Sequence, residues 1–364
     1  MKIAFDAKRF FHNTSGLGNY SRDLVRILAQ YFPENDYLLL NKNKSERGSE
    51  ILQNTHVHFV ETSKGSLSRQ LKMGKDAQRE NADIFHGLSG ELPLKWDKKS
   101  IKKVVTIHDL IFERYPQYYS FFDRKIHFWK FKNAAHSADK IIAISEQTKR
   151  DIIDFLKVQE SKIEVIYQGC HHAFKEEQSA DFIQQTKEKF KLPERFILNV
   201  GTIEDRKNLL NVVKALKDTQ IPLVVVGKKT KYFKKVEAFV KQNKIETYFL
   251  EGVSMDELAV LYKLADIFVY PSFFEGFGIP VIEALFSKTV VITSNTSCLP
   301  EAGGPDSVYV DPKNHLDIQA KIKFLWENES ERNRRAEKGF HFVQKFNDEP
   351  IANELMNLYR KIIS

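Results

Sequence analysis

The sequence predicts an α/β protein made of two Rossmann-like domains with parallel sheets. Short aliphatic segments alternate with longer amphipathic segments along almost the whole chain, which is the pattern of repeated strand–helix units. The length of 364 residues matches about two ordinary domains, and 42% hydrophobic residues suffice for buried cores. A polar segment at 171–194 separates two strand–helix series, so we place the domain boundary between residues 170 and 171.

The first domain, residues 1–170, is predicted to contain seven strands. Apolar residues spaced by three and four predict a helix over Asn19 to Tyr31, between the first two strands. The predicted strands are Lys2 to Phe5, Tyr37 to Leu40, Val57 to Val60, Asp83 to Phe85, Val104 to Ile107, Lys140 to Ile144 and Glu164 to Tyr167.

The second domain, residues 171–345, is predicted to contain six strands, followed by helices only beyond Pro312. Ser254 and Glu257 form a capping box that starts one helix, and Pro280 suits the first turn of another. The predicted strands are Phe196 to Val200, Leu223 to Val226, Tyr248 to Leu250, Ile267 to Tyr270, Val290 to Thr293 and Val308 to Val310.

Composition excludes several classes of protein. The two cysteines, Cys170 and Cys298, supply neither a disulfide framework nor a CxxC metal pair. No segment approaches the roughly 20 apolar residues that cross a bilayer, and Met1 to Phe5 lack the start of a secretory leader. We therefore expect a cytoplasmic protein, and the absence of a DxD sequence near a strand end leads us to expect no metal site.

The formal charge of +8 indicates an anionic partner. The excess lies mainly before residue 150, in Lys64 to Arg79, Lys95 to Lys103 and Arg124 to Lys132. Nucleic acid, an acidic membrane surface and a phosphorylated substrate all satisfy this charge, which does not choose among them.

The most informative segment runs from Glu275 to Glu283 and follows the predicted strand Ile267 to Tyr270. Strand, glycine loop and helix start succeed one another there, and ligands of open α/β sheets bind outside the carboxyl ends of strands. Gly276 and Gly278 let the backbone approach a ligand, and the amides of the helix start favour an anion such as a diphosphate.

Glu275 and Glu283 have seven residues between them. A carboxylate accepts hydrogen bonds from vicinal hydroxyls, so one glutamate could hold a ribose and the other the transferred sugar. Alternatively, Glu283 stabilises the helix dipole in the first turn and Glu275 is a solvated loop residue.

The segment EGFGIPVIEA after YPS resembles the retaining glycosyltransferases of family 4, also called group 1. Further matches follow in family order over nearly the whole chain. They are GLGNY near the start, TIHDL at 106–110, ADKIIAISEQTKRDI at 138–152, VGTIEDRKNL at 200–209 and SCLPEAGGPDSVYVDP at 297–312.

The resemblance implies the GT-B fold, in which two Rossmann-like domains face each other across a cleft. It implies that the first domain binds the acceptor, that the second binds a GDP- or UDP-linked sugar, and that the helix Glu349 to Ile363, within 346–364, returns to the first domain. It also implies retention of anomeric configuration, without a metal or other cofactor. The donor-binding residues that it implies are Gly16, Gly18, Arg206, Lys207, Val253, Gly276, Phe277, Gly278 and Glu283; the catalytic ones are His108 and Glu275.

Arg206 and Lys207 precede a helix that is predicted from Leu209 onward. Two cations at a helix start are unfavourable unless an anion is present, so we expect them to face the diphosphate and neutralise the charge of the leaving nucleotide. Many relatives carry an arginine directly after the glycine of this motif, where this chain has Thr202. A solvated Arg–Lys pair is the alternative.

Gly16 and Gly18 lie between the first predicted strand and the helix Asn19 to Tyr31, where a phosphate loop would lie. The full GxGxxG of dinucleotide-binding proteins is missing, which argues against an NAD-dependent enzyme. The resemblance implies a loop that closes over the donor, and an ordinary flexible connection is the alternative.

His108 directly follows the predicted strand Val104 to Ile107 and precedes Asp109. This pair suggests a general base. The resemblance implies instead that the histidine lies near the donor sugar while the departing phosphate takes the acceptor proton. A histidine that caps the turn is the structural alternative.

Aromatic and basic residues alternate over Phe121 to Lys132 on one predicted helix. Such a helix can lie in a membrane interface, which would favour a lipid-linked acceptor and peripheral association with the cytoplasmic membrane face. A core helix with snorkelling cations fits the same pattern.

The sequence thus predicts a retaining hexosyltransferase that moves a sugar to a glycan or lipid-linked acceptor in surface polysaccharide biosynthesis. Mannose from GDP-mannose is the first candidate donor, because the segments GTIEDRKN and LPEAGG resemble those of mannosyl- and rhamnosyl-type enzymes of that kind. Two alternatives stay open: a nucleotide-sugar epimerase of the same architecture and a basic nucleic-acid-binding protein. The latter leaves Glu275 and Glu283 unexplained, so we expect no nucleic-acid partner.

Overall fold

Two compact units make up the structure, a computed structural model that describes residues 1–65, 67–96 and 101–364. Unit 1 comprises Met1–Gly169 and Phe346–Ser364, and unit 2 comprises Cys170–Lys345. The chain enters unit 2 one residue before the boundary drawn from the sequence. Of the basic segments named above, Lys64 to Arg79 and Lys95 to Lys103 lie partly outside the described residues.

Unit 1 holds a parallel sheet, with seven strands among the described residues, in the order β3-β2-β1-β4-β5-β6-β7. The strands are β1 Lys2–Asp6, β2 Asp36–Asn41, β3 Val57–Glu61, β4 Ile84–Gly87, β5 Lys102–Ile107, β6 Lys140–Ala143 and β7 Ile163–Val165. The helices around it are α1 Lys8–His12, α2 Gly16–Tyr31, α3 Ser68–Leu71, α4 Met73–Arg79, α5 Ile111–Arg114, α6 Phe121–Ser137 and α7 Glu146–Asp151.

Unit 2 holds a parallel sheet of six strands in the order β10-β9-β8-β11-β12-β13. The strands are β8 Ile197–Val200, β9 Leu223–Val226, β10 Thr247–Leu250, β11 Ile267–Tyr270, β12 Val291–Ser294 and β13 Val308–Val310. The helices are α8 Ala180–Phe190, α9 Leu209–Ala215, α10 Phe233–Gln242, α11 Met255–Leu264, α12 Ile279–Phe286, α13 Leu299–Gly303, α14 His315–Glu327 and α15 Glu329–Val343.

The predicted fold class is confirmed in each unit, and every strand that the sequence predicts occurs with bounds shifted by at most two residues. Central strands such as β8, β9, β11 and β12 are buried throughout, because helices cover both faces of a parallel sheet. The predicted helix signals also occur: Ser254 and Glu257 form a capping box at α11, and Pro280 lies in the first turn of α12.

The last helix, α16 (Asp348–Ile363), belongs to unit 1. Its buried face includes Leu355 and Tyr359, and the Tyr359 hydroxyl lies 2.7 Å from His86 Nδ1 at β4. Near its start, Asp348 forms an ion pair of 2.7 Å with Arg26 on α2. Apolar burial and these polar contacts hold the chain terminus against the first sheet.

The glycine segment near the start of the chain differs from the sequence expectation. The helix begins at Gly16 rather than Asn19, so Gly16 and Gly18 form its first turn and not a loop. Asn13 Oδ1 accepts hydrogen bonds from the backbone N–H groups of Ser15 (2.8 Å) and Gly18 (3.1 Å). The sequence did not predict this turn, because glycine has a low helix propensity. Capping by Asn13 outweighs that propensity and stabilises the turn.

Gly18 and Gly16 form a natural pair for a stability test of this turn. A Cβ at Gly18 would lie 2.1 Å from the Asn13 carbonyl oxygen, whereas a Cβ at Gly16 meets nothing within 4 Å. We expect Gly18→Ala to destabilise the fold by about 1–3 kcal/mol through overpacking, and Gly16→Ala to be neutral or stabilising by up to about 1 kcal/mol. Thermal unfolding of both variants measures this, and equal melting temperatures would contradict the close approach at Gly18.

Candidate active site

The candidate site of unit 2 lies where the strand order of its sheet reverses. Strand β8 has β9 on one side and β11 on the other, so the connections that leave β8 and β11 diverge to opposite sides. Ligands of open α/β sheets bind at such a switch point, outside the carboxyl ends of the strands. The loops that follow these strands carry Arg206 and Lys207 after β8, and Glu275 after β11.

The carboxylate of Glu275 lies between these two cations. Its Oε2 is 2.8 Å from Arg206 Nη1, and its Oε1 is 3.3 Å from Lys207 Nζ. Oε1 also accepts hydrogen bonds from the hydroxyls of Tyr270 (2.7 Å) and Ser272 (2.8 Å). Burial alone would raise the pKa of Glu275, but Lys207 and Arg206 outweigh it and hold that pKa at about 2. Glu275 is therefore not the solvated loop residue of the alternative reading.

Arg206 and Lys207 are largely buried, with side chains 15% and 16% exposed. They belong to a single 3-10 turn, Asp205–Lys207, just before α9. Arg206 also pairs with Glu204 at 2.6 Å, and Lys207 Nζ lies over the Tyr270 ring, 5.0 Å from its centroid. The alternative of a solvated Arg–Lys pair is therefore wrong, since both cations are held in place by an internal anion.

The glycine loop places backbone rather than side chains at the start of α12. Gly278 is the N-cap residue at φ 107°, a left-handed conformation that favours glycine. Phe277 is buried at 2% exposure, so its side chain packs inward, while Gly276 is half-buried. Amide groups at this helix start can meet an anion, and their helix dipole favours it.

Glu283 lies in the second turn of α12, not in the first turn that the sequence suggested, because the helix begins at Ile279. Its carboxylate is buried and accepts a hydrogen bond of 2.9 Å from the Tyr262 hydroxyl. Burial raises the pKa of Glu283 to about 7, and the Tyr262 hydrogen bond and Lys207 reduce that rise. A carboxyl buried in this way is not a surface dipole-stabilising residue.

Four polar residues of this cluster escaped sequence reasoning: Tyr262, Tyr270, Ser272 and Ser297. Ser297 Oγ donates to the Glu275 carbonyl at 2.7 Å and accepts from the Glu275 amide at 3.3 Å. Tyr270 and Ser272 belong to the strand end and turn written YPS, and Ser297 opens the SCLPEAGG segment, so their places in these motifs were the available signals. Val253, in contrast, follows the edge strand β10, which β9 and β8 separate from β11.

In unit 1, His108 follows β5 as predicted, and its ring is held by neutral groups. Its Nε2 lies 2.9 Å from the Leu88 carbonyl, and its ring meets the Tyr20 ring edge-on at 4.6 Å between centroids. Burial lowers the pKa of His108 to about 4, with Arg9 adding to the effect and the Leu88 contact opposing it. A neutral imidazole that donates from Nε2 has Nδ1 as an acceptor.

The aromatic–basic helix α6 has one face packed on unit 1 and another face that is exposed. Phe128 and Phe131 pack against the core of unit 1. Phe122, Ile126 and Trp129 lie on another face, spaced by four and three, and are 78%, 54% and 53% exposed. The core reading therefore holds for one face of α6 only.

Among residues 1–65, 67–96 and 101–364, no group of three or more His, Cys, Asp or Glu side chains is arranged to hold a metal ion. No helix in the described ranges is long and apolar enough to cross a membrane.

Two parallel α/β units, one with a buried carboxylate–cation cluster at its switch point, are the features expected of a glycosyltransferase of the GT-B fold. The family model described as Glycosyl transferases group 1 matches residues 181–342, and that described as Glycosyltransferase Family 4 matches residues 15–174. This chain belongs to the group 1, or family 4, glycosyltransferases.

Curated relatives and solved structures agree with this assignment. O-antigen chain mannosyltransferase B of Escherichia coli is 26% identical over 99% of this chain and 100% of its own length. O-antigen chain mannosyltransferase RfbU of Salmonella typhimurium is 33% identical, but over 61% of this chain and 60% of its own length. The chain spans 30% of the serotype-specific mannosyltransferase WbdA of Escherichia coli, at 29% identity.

Among solved structures, a glycosyltransferase from Rickettsia africae superposes with a TM-score of 0.78 at 18% identity, over 100% of this chain and 98% of that one. Anabaena HepE in complex with UDP and glucose gives 0.76 at 14% identity, over 99% of both chains. At these identities the likeness shows the fold.

The raised pKa of Glu283 gives a pH-dependent prediction for stability. Between its ordinary pKa of 4.5 and about 7, the folded state binds more protons than the unfolded state, so this residue lowers stability as pH rises through that window. The free energy of unfolding of Glu283→Gln, relative to that of the parent, should therefore be about 2–3 kcal/mol higher at pH 8 than at pH 4. The amide oxygen of glutamine can still accept the Tyr262 hydrogen bond.

Unfolding of both proteins at pH 4, 6 and 8 tests this expectation. Glu331→Gln is the matched control, because Glu331 pairs with Arg334 and Arg335 on the surface of unit 2 and its pKa is lowered to about 2. A Glu283→Gln difference that does not change from pH 4 to pH 8 would contradict the raised pKa.

Proposed function

We propose that this chain transfers mannose, with GDP-mannose as the first donor to test, onto a glycan or lipid-linked acceptor in surface polysaccharide biosynthesis. The main support for this proposal is that essentially the whole chain is similar to the full length of a protein named O-antigen chain mannosyltransferase B. In the proposed reaction the bond between the anomeric carbon and the diphosphate oxygen breaks. An acceptor oxygen bonds to the same face of that carbon, and the departing phosphate takes its proton.

The donor's diphosphate would bind at the switch point of unit 2. Arg206 and Lys207 supply two positive charges there, and the start of α12 supplies amides and the positive end of its dipole. This set of groups can neutralise the charge that grows on the leaving nucleotide, which supports transfer without a metal or other cofactor.

We assign the donor's ribose to Glu283 and the transferred sugar to Glu275. Glu275 keeps its charge throughout the usable pH range, so it suits a sugar ring that gains positive charge in the transition state. Glu283 titrates near neutral pH and accepts from Tyr262, so it suits hydroxyl recognition. Val253, Gly16 and Gly18 are kept as donor contacts on family resemblance alone.

His108 is the catalytic residue that we assign to unit 1. Its low pKa makes it a weak base, which favours the reading in which the phosphate takes the proton. Its neutral imidazole can accept a hydrogen bond from a hydroxyl of the donor sugar.

The proposal is tested by donor binding and turnover. Saturation-transfer NMR with GDP-mannose, GDP, UDP-glucose and UDP identifies the donor, and GDP release in EDTA with octyl α-mannobioside as the acceptor probe measures transfer. Loss of transfer in EDTA that magnesium or manganese restores would contradict metal independence. Conversion of a nucleotide sugar without acceptor would instead support an epimerase.

Arg206→Ala and Lys207→Ala should each weaken GDP binding by about tenfold or more and slow turnover, because each removes a cation from the diphosphate. Calorimetry with GDP measures the affinity. Arg334→Ala and Lys288→Ala are the matched controls, since their ion pairs lie at exposed positions of unit 2. Unchanged affinity and turnover in both site variants would remove these residues from the diphosphate site.

We further propose that α6 contacts the cytoplasmic membrane face, where lipid-linked acceptors lie. Phe122, Ile126 and Trp129 form an exposed apolar stripe, and Lys125 and Lys132 beside it are exposed cations that suit anionic lipid headgroups. The core-facing side of the same helix, with Phe128 and Phe131, keeps it anchored in unit 1.

Phe122→Ser with Trp129→Ser should abolish sedimentation with phosphatidylglycerol vesicles, because it removes two exposed aromatic rings from the stripe. Leu316→Ser with Phe324→Ser is the matched control, since these residues are 61% and 48% exposed on α14 of unit 2. Absence of vesicle binding by the parent protein would refute membrane association by α6.

A further inference from the structure

We infer that Glu275 is an internal counter-ion, which pairs with Arg206 and Lys207 before a donor binds and yields them to the donor's diphosphate. The inference rests on the proposed function and adds an order of events to it. The carboxylate becomes free to meet the sugar only after the nucleotide has bound.

The contacts of the Glu275 side chain carry the first step. Both carboxylate oxygens are engaged, Oε2 by Arg206 at 2.8 Å and Oε1 by Lys207 at 3.3 Å. Oε1 also accepts from Tyr270 at 2.7 Å and from Ser272 at 2.8 Å. A carboxylate held in this way contacts the two groups that the proposed function assigns to the diphosphate.

The second step is a conflict between two anions. A diphosphate that approached Arg206 and Lys207 would bring its charge next to the Glu275 carboxylate, in a site where these side chains are 12–16% exposed. Like charges repel strongly where water is largely excluded. The diphosphate carries more charge than one carboxylate, so it displaces Glu275 from the cations.

Hydrogen bonds to the backbone of Glu275 limit how its carboxylate can be displaced. The Ser297 hydroxyl donates to its carbonyl at 2.7 Å and accepts from its amide at 3.3 Å, and Cys298 Sγ lies 3.1 Å from the same carbonyl. Ser297 adopts φ 61°, a left-handed conformation that costs free energy in a residue other than glycine. Because the backbone is held on both peptide groups, the carboxylate leaves by side-chain rotation about a fixed main chain.

Calorimetry with GDP and UDP tests the inference, because the inference predicts that Glu275→Gln raises nucleotide affinity. Glu275→Gln removes the competing charge, leaves Lys207 without this carboxylate and leaves Arg206 paired with Glu204. We therefore expect it to bind the preferred nucleotide about tenfold more tightly than the parent. That gain corresponds to about 1.4 kcal/mol. Turnover should fall, because the sugar contact is lost. If Glu275 contacted only the transferred sugar, Glu275→Gln would leave the binding of GDP and UDP unchanged.

Ser272→Ala is the second test variant, for use if Glu275→Gln does not fold. It removes one hydrogen bond from the Glu275 carboxylate and changes neither cationic side chain, so nucleotide binding should tighten about two- to threefold. Glu331→Gln is the matched control, since it removes a carboxylate from two arginines outside the site, and its nucleotide affinity should equal that of the parent.

The outcomes separate this inference from the proposed function. Unchanged or weaker nucleotide binding in the foldable variants, with a parent protein that binds GDP or UDP, overturns the counter-ion and leaves the donor site intact. A parent protein that binds neither nucleotide overturns both.

Discussion

The ion pair between Glu275 and the cations of the β8 loop organises the switch point of unit 2. It joins the loop that follows β8 to the loop that follows β11, and Ser297 adds the loop that follows β12. The Arg206 carbonyl reinforces the same junction, since it accepts from the Phe273 amide at 2.9 Å and lies 3.1 Å from Ser272 Oγ. Parallel strands bring these loops to one edge, and the buried charges then hold the three loops in one arrangement.

In unit 1, neutral groups join the carboxyl ends of two neighbouring strands. At the carboxyl ends of β4 and β5, Thr106 Oγ1 lies 2.8 Å from His86 Nε2 and 3.0 Å from the Tyr20 hydroxyl. Burial and the nearby His108 lower the pKa of His86 to about 3, so both histidines are uncharged at neutral pH. Tyr359 extends this network to α16. The ends of β4 and β5 are therefore joined by hydrogen bonds between neutral groups, whereas the switch point of unit 2 is joined by charges.

The strands of both sheets were predictable because they are mostly short apolar segments bounded by polar turns, and the central ones are buried on both faces. The loops that carry Arg206, Lys207 and Glu275 were predictable for the same reason, since they follow such strands. The turn at Gly16–Gly18 was not, because the cap that stabilises it comes from the side chain of Asn13 and outweighs local propensity. The partners of Glu275 were not either. Tyr270 and Ser272 reach it only through the conformation of the loop after β11, and Ser297 comes from the loop after the neighbouring strand β12.

The two glutamates show why motif spacing alone cannot assign chemistry. Glu275 and Glu283 are the same residue type in one nine-residue segment, and both are buried. Glu275 has two cations at 2.8–3.3 Å and stays ionised, with a pKa of about 2. Glu283 has the Tyr262 hydroxyl as a close partner and feels Lys207 only as a weaker electrostatic influence, so burial prevails and its pKa is about 7. The difference arises from β8 and α11, which approach the segment from elsewhere in the chain, and it makes one carboxylate a permanent charge and the other a group that titrates at neutral pH.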